Sequence, residues 1–373
     1  MTSSMSWANL KEQIISNDRF TVERKEDHIR KVTYLETLIG DDIFFIGHPI
    51  LQYYTNQAPW TRNWFNLLSE RLEDLSICSN FETIIKRLKS TDKFYEVMSV
   101  IEVAHRLKKN GFEISIDSKV QVKKGRDFKE PDIKLVNKST KENIYVEVSQ
   151  SHTSREEKEA NRTYEKLHGE YMYDREIVYY VKIHMSLSEP RLLDISKQID
   201  DAIQYVRENK ILRTIQIAGI IDAGFAPRSN KEKLDEWANE RNISFSIEGP
   251  PIIVDELTRL KNKIRKEVEQ LPLDSASIIF IQTPKVVFLG KEPRDILREL
   301  AEQVHSFPNL YCVIISGGAY FDGDEFKTEF DGNFYIRKCN PLLGYDDMFV
   351  IFNKYCNVEV TTDTQDKIRQ AYI

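Results

Sequence analysis

The chain has 373 residues, 41% of them hydrophobic and 30% charged, with a net charge of −6 at neutral pH. That length exceeds one ordinary core and predicts two or three structural units, while the apolar content excludes a disordered chain. The acidic excess argues against a protein coated in positive charge, and no apolar run approaches the roughly 20 residues needed to span a bilayer.

The first residues carry no basic segment followed by an apolar one, so no secretory leader is expected. The cysteines at 78, 312, 339 and 356 form no CxxC pair. They read as reduced thiols, which together with the missing leader predicts a cytoplasmic protein. Charge is uneven: Ile85 to Glu170 carries a net +4 and the rest a net −10. A basic segment in an acidic chain suits a phosphate-binding groove, or simply a solvated surface.

Residues 1–90 read as a helical N-terminal region. Trp60, Trp64, Leu67, Leu68 and Leu75 follow a helical period, as do Phe81, Ile84, Ile85 and Leu88. Phe94, Val97, Ile101, Ala104 and Leu107 mark one face of the next helix, which Asn110-Gly111 should end. The stretches 112–117 and 119–123 read as one strand or a bent pair, and strands are expected over 131–136 and 144–150, with the polar run 137–143 closing a hairpin. A charged helix over 154–173 and a strand over 177–185 follow. Further on come a helix over 190–209, strands at 214–222, 277–283 and 310–316, and a helix over 293–306. Strands alternating with helices predict an α/β protein with a mostly parallel sheet. The expected domains are 1–90, a core at 91–225, and a C-terminal α/β extension or second domain at 226–373.

One constellation carries chemistry. Asp132 opens a strand after Pro131, and Glu147 sits within the next strand. With a period of two, Asp132 and Lys134 share one strand face, and Tyr145, Glu147 and Ser149 share another. A hairpin of this length sets the two carboxylates side by side, where a hard divalent cation would satisfy both.

These residues resemble the PD-(D/E)xK nuclease superfamily. The resemblance covers roughly Phe94 to Ile183: the helix Ile101-Glu102-Val103-Ala104-His105-Arg106-Leu107 running to Gly111-Phe112, then Pro131-Asp132, then Glu147-Val148-Ser149. It implies a restriction-endonuclease-like αβββαβ core and a Mg²⁺-dependent (or Mn²⁺-dependent) endonuclease. The metal ligands would be Asp132 and Glu147, assisted by Glu102 directly or through water. The sequence departs from the pattern where the family's lysine would fall, because position 149 is Ser149. Lys134 is the nearest replacement for its charge and Lys123 the second. Gln150 points away from Glu147 by simple alternation.

The expected partner is nucleic acid, with DNA ahead of RNA, without a membrane, and with a homodimer as one admissible assembly. A second reading is a nuclease-like module that binds nucleic acid or a protein without cutting. A third is an unrelated α/β protein whose carboxylates face water. Glu96, six residues before Glu102, is a replacement for it at the helix position or a surface residue; His105 and His152 lie near the expected site, and His152 is a phosphate contact or a loop histidine. Arg155, Lys158, Arg162 and Lys166 form a basic ridge that would follow a nucleic-acid backbone or pair with the glutamates of its own helix.

Overall fold

The computed structural model describes residues 5–55, 63–121, 128–151, 155–171, 176–250, 255–283, 293–317, 326–339 and 347–373. Helices α1 (Trp7–Ile15), α2 (Val22–Ile39), α3 (Ile50–Thr55), α4 (Trp64–Leu75), α5 (Phe81–Leu88) and α6 (Phe94–Lys109) come first. Strands β1 (Phe112–Ile116), β2 (Val120–Gln121), β3 (Phe128–Lys129), β4 (Ile133–Asn137) and β5 (Asn143–Gln150) follow. Next are α7 (Arg155–Tyr171), β6 (Ile177–Ile183), α8 (Glu189–Asn209), β7 (Arg213–Ile217), β8 (Ile221–Pro227), α9 (Lys231–Glu240) and β9 (Ile247–Glu248). The remaining elements are α10 (Glu256–Val268), β10 (Ala276–Gln282), α11 (Pro293–Val304), β11 (Leu310–Ser316), β12 (Phe326–Phe330), β13 (Tyr335–Cys339), β14 (Asp347–Phe352) and α12 (Thr362–Tyr372).

These elements form two compact units, one made of 1–152 with 256–373 and the other of 153–255. The first is built on a mixed sheet in the order β1-β4-β5-β10-β11-β14-β13-β12. Only β5–β10 and β10–β11 pair in parallel; the other neighbours run antiparallel. Helix α6 ends at Gly111, whose φ of +92° suits a residue without a Cβ. Val146, Val148, Ile278 and Phe280 face one apolar core, shared with α4 and α6. Ile279, Ile281, Val313 and Ile315 face the other, which α10 and α11 cover. Strand β5 lies between β4 and β10 and is buried on both faces. A polar side chain on it therefore leaves water whichever way it points.

The second unit carries the sheet β7-β8-β6-β9. Its core includes Ile177, Val181, Ile199, Ala223 and Phe225. Strand β8 approaches α9 closely at Gly224, where a Cβ would stand 2.7 Å from the Trp237 ring.

Several expectations need correction. The stretch 214–222 is not one strand: β7 and β8 form a hairpin turning at Gly219, whose φ is +69°. The sheet is mixed rather than mostly parallel. Boundaries at 90 and 225 do not match the two units. Helix α7 and strand β6 belong to the second unit, whereas the helix and parallel strand that follow β5 in the main sheet are α10 and β10. The whole of 153–255 is thus inserted between β5 and α10. Consecutive elements usually pack together, and this insertion breaks that regularity.

Candidate active site

The β4–β5 register pairs Ile133 with Val146 and Lys134 with Tyr145. One step further along the same ladder sets Asp132 opposite Glu147. Alternation turns Glu147 and Ser149 to the α10 side of the sheet, together with Tyr145, which packs on that side's core. Asp132, Glu147 and Ser149 are all buried.

Asp132 is held from two directions. Its Oδ2 accepts the Val148 amide at 3.0 Å, and its Oδ1 accepts Arg87 Nη1 at 3.0 Å. Arg87 also donates to Asp117 Oδ1 at 2.7 Å and lies 3.9 Å from Glu96. Asp117 adopts a φ of +47°, and its amide donates to the carbonyl of Asp132, tying the turn after β1 to the start of β4. Glu147 is less well satisfied. Its Oε1 accepts Gln270 Nε2 at a long 3.4 Å, and its Oε2 is buried with no partner. Gln270 also donates to Glu267 Oε2 at 3.1 Å.

The electrostatics follow from this arrangement. Burial first, then the charges of Asp132 and Glu267, push Glu147 up to about 9; the Asp132 backbone opposes this, and the charge of Glu96 adds the least. Burial raises Asp132 to about 6, although the Val148 amide and Arg87 pull it down. At neutral pH without a cation the pair therefore retains a proton.

The other expected site residues lie elsewhere or play other parts. Glu102 is not brought to the pair. It is on the face of α6 turned to α4, where Arg71 Nε donates at 2.8 Å and Arg106 Nη2 at 2.7 Å. Burial raises its pKa, but Arg106 and Arg71 outweigh burial and hold it below the ordinary value. The acidic residue of α6 whose charge reaches both Asp132 and Glu147 is Glu96. Ser149 Oγ donates to Glu267 Oε1 at 2.9 Å, and Lys263 Nζ lies 3.2 Å from that same oxygen. Lys263 is thus linked to Ser149 through one shared acceptor oxygen. Lys134 is half-buried beside Tyr145 and lines an open groove next to the pair. His105 pairs with Asp74 at 3.0 Å, away from the carboxylates. Arg162 and Lys166 both reach Glu189, so two residues of the basic ridge are ion-paired. Lys123, His152, Trp60 and the side chain of Arg155 lie outside the described residues.

Glu267 and Gln270 went unread, yet one signal was available. Leu257, Leu260, Ile264 and Leu271 mark an apolar stripe, and Glu267 stands at a stripe position where burial is expected. Arg87 and Asp117 gave no comparable signal.

Asp132 and the unpartnered oxygen of Glu147 are hard anionic donors suited to a divalent cation. Among the described residues, no group of three or more His, Cys, Asp or Glu side chains converges to hold an ion unaided. Water and a bound phosphate would have to complete the shell, as is usual for Mg²⁺. The chain matches no family model, no curated protein and no solved structure. No described helix is long and apolar enough to cross a membrane. The cysteines at 78, 312 and 356 are free thiols.

Proposed function

We propose that this chain is a metal-dependent nuclease that hydrolyses phosphodiester bonds in nucleic acid. The observation that carries the reading is the buried Asp132–Glu147 pair with Glu147 Oε2 unpartnered. A buried carboxylate without a counter-charge is costly, and a divalent cation offsets that cost. The order α6, β1, β4, β5, α10, β10 supports a restriction-endonuclease-like αβββαβ core, with 153–255 as an insertion before its second helix.

Asp132 and Glu147 would hold Mg²⁺ or Mn²⁺, which when bound supplies a water of lowered pKa and neutralises charge developing on phosphate. The protein's own groups then have distinct parts. The Val148 amide fixes the Asp132 carboxylate, leaving one oxygen to Arg87 or to a cation. Gln270 orients Glu147 from the α10 side. Ser149 carries no charge, so compensation for the missing lysine falls to Lys134 in the groove or Lys263 behind Glu267.

A second reading, a module that binds without cutting, has its own support. Arg87 already neutralises Asp132, and Ser149 is engaged with Glu267. Calorimetric titration with Mn²⁺ in two buffers of different ionisation enthalpy separates the readings. The nuclease reading requires saturable binding with release of roughly one proton, because a cation displaces the proton that the Asp132–Glu147 pair holds. Absence of Mn²⁺ binding in wild-type protein would leave only the binding module.

A further inference from the structure

Beside the carboxylate pair lies an open groove of about 420 Å³. Its floor is a row across three strands: Lys134 of β4 pairs in register with Ser115 of β1 on one side and Tyr145 of β5 on the other. Adjacent strands are about 4.8 Å apart, so a hydroxyl, an ammonium and a phenol ring follow one another at that spacing on one face. Ser118, Lys119 and Asp274 form part of the rim. Lys119, whose ammonium lies 3.7 Å from Glu130, also borders a neighbouring cavity of about 450 Å³ that reaches Lys129, Glu130 and Gln270, the residue bonded to Glu147.

Two observations distinguish this groove from an ordinary wet surface. The first is the state of Lys134. Other buried or half-buried lysines of this unit are engaged: Lys31 with Asp27 and Glu70, Lys108 with Asp74, Lys263 with Glu267, Lys367 with Asp363, and Lys25 with the carbonyl of Ile15 rather than a carboxylate. Lys134 is half-buried in the sheet and, among the described residues, has no ion-pair partner. An ammonium half-withdrawn from water with no ion pair of its own is a suitable donor to an anion, although Asp274 lines the same groove. The second is place. Lys134 and Tyr145 stand two residues from Asp132 and Glu147 on the same strand faces, about 7 Å along the strands. A phosphate bound there would be close enough to share a strand with a phosphodiester at the carboxylates.

We propose that the groove is a subsite for one nucleotide of a single-stranded polynucleotide, with phosphate on Lys134 and Lys119 and the base against Tyr145. The inference deepens the nuclease reading and rests on it for the direction in which the strand runs. Single strand is favoured over duplex because the aromatic ring lies on the floor. A base reaches such a ring only when freed from its own stack, and base–aromatic stacking tolerates any sequence.

The test is fluorescence anisotropy with labelled oligo(dT), oligo(U) and a DNA duplex, in EDTA so that nothing is cut, across a salt series. Wild-type protein should bind the single strands more tightly than the duplex. Lys134→Ala should weaken single-strand binding about tenfold and lower the salt slope by about one, the contribution of one phosphate contact. Lys134→Arg should restore most of the affinity. Tyr145→Leu should cost about fivefold or more through lost stacking and leave the salt slope unchanged. Melting curves identify any variant that has lost its fold, and the arginine variant keeps the test decisive in that case. A duplex preferred to both single strands, or affinities indifferent to Lys134 and Tyr145, would overturn the proposal. The two readings fail separately. Strands bound through Lys134 and Tyr145 but never cut with Mg²⁺ would refute the nuclease and keep the subsite. Cutting with no dependence on either residue would do the reverse.

Discussion

Glu147 concentrates the physics of this protein in one side chain. It sits on a central strand, faces a second acid, and leaves one buried oxygen without a partner. Its folded-state pKa lies above its unfolded value, so the folded chain binds the extra proton between about 4.5 and about 9. Stability from this group is complete below the lower value and is lost as pH rises toward the upper one. Metal-free protein should accordingly melt at lower temperature as pH rises across that window. Glu147→Gln removes the ionisation, so it should flatten this slope and stabilise the metal-free protein at pH 8. The gain should be roughly 1 to 3 kcal/mol, the scale of a buried unsatisfied polar group. Thermal melts of both proteins across the pH range check it, and a slope unchanged by the substitution would dissociate Glu147 from the effect. Glu102 behaves in the opposite sense. It is buried and ionised between Arg71 and Arg106, so Arg71→Met should destabilise the protein by about 3 to 5 kcal/mol. The same variant should leave Mn²⁺ affinity unchanged, because Glu102 does not belong to the carboxylate pair. Urea denaturation and calorimetry report the two effects independently.

The elements explain which parts of the site were legible in the sequence. Strand alternation located β1, β4 and β5 and placed Asp132 and Glu147 on one pair of strand faces. That inference needs only a period of two and a hairpin. The helix acid was harder, because periodicity reveals a helix but not which face meets the sheet. Glu96 and Glu102 are six residues apart and so point about 120° away from each other around α6. Only packing tells which one approaches Asp132. The C-terminal hairpin strands and α12 were not read, because β12 and β13 alternate charged and apolar residues only briefly. Helix α10 was missed although its apolar stripe is regular, and with it went Glu267 and Gln270. Glu267 Oε1 is the shared acceptor of Ser149 and Lys263. Glu267→Leu should therefore lower the pKa of Glu147 by removing a negative neighbour and should free Lys263. A downward shift in the midpoint of pH-dependent melting would report it; an unmoved midpoint would show that the Glu267 charge does not reach Glu147.

At the scale of the whole molecule, the inserted unit decides how the fold is read. Local patterns identified α7 and β6 correctly as a helix and a strand, but their sequence position after β5 suggested the wrong sheet. The sheet neighbour of β5 lies beyond residue 255, a separation that no periodicity encodes. Residues 153–255 have their own four-stranded sheet and apolar core. Expressed as a separate segment, they should unfold cooperatively in urea, with circular dichroism and tryptophan fluorescence giving coincident transitions. A chain with no transition would show that this unit depends on the rest.

The claim that organises all of this is that Asp132 and Glu147 act together on a phosphodiester with the help of a divalent cation. The most direct test is cleavage of end-labelled single- and double-stranded DNA and RNA by wild-type, Asp132→Asn and Glu147→Gln proteins, with Mg²⁺, Mn²⁺, Ca²⁺ or EDTA. The account predicts cutting by wild-type protein with Mg²⁺ or Mn²⁺ only, binding without cutting in Ca²⁺, and loss of cutting in both variants. Substrates left intact by wild-type protein under every condition, or cut equally well by the two variants, would contradict it.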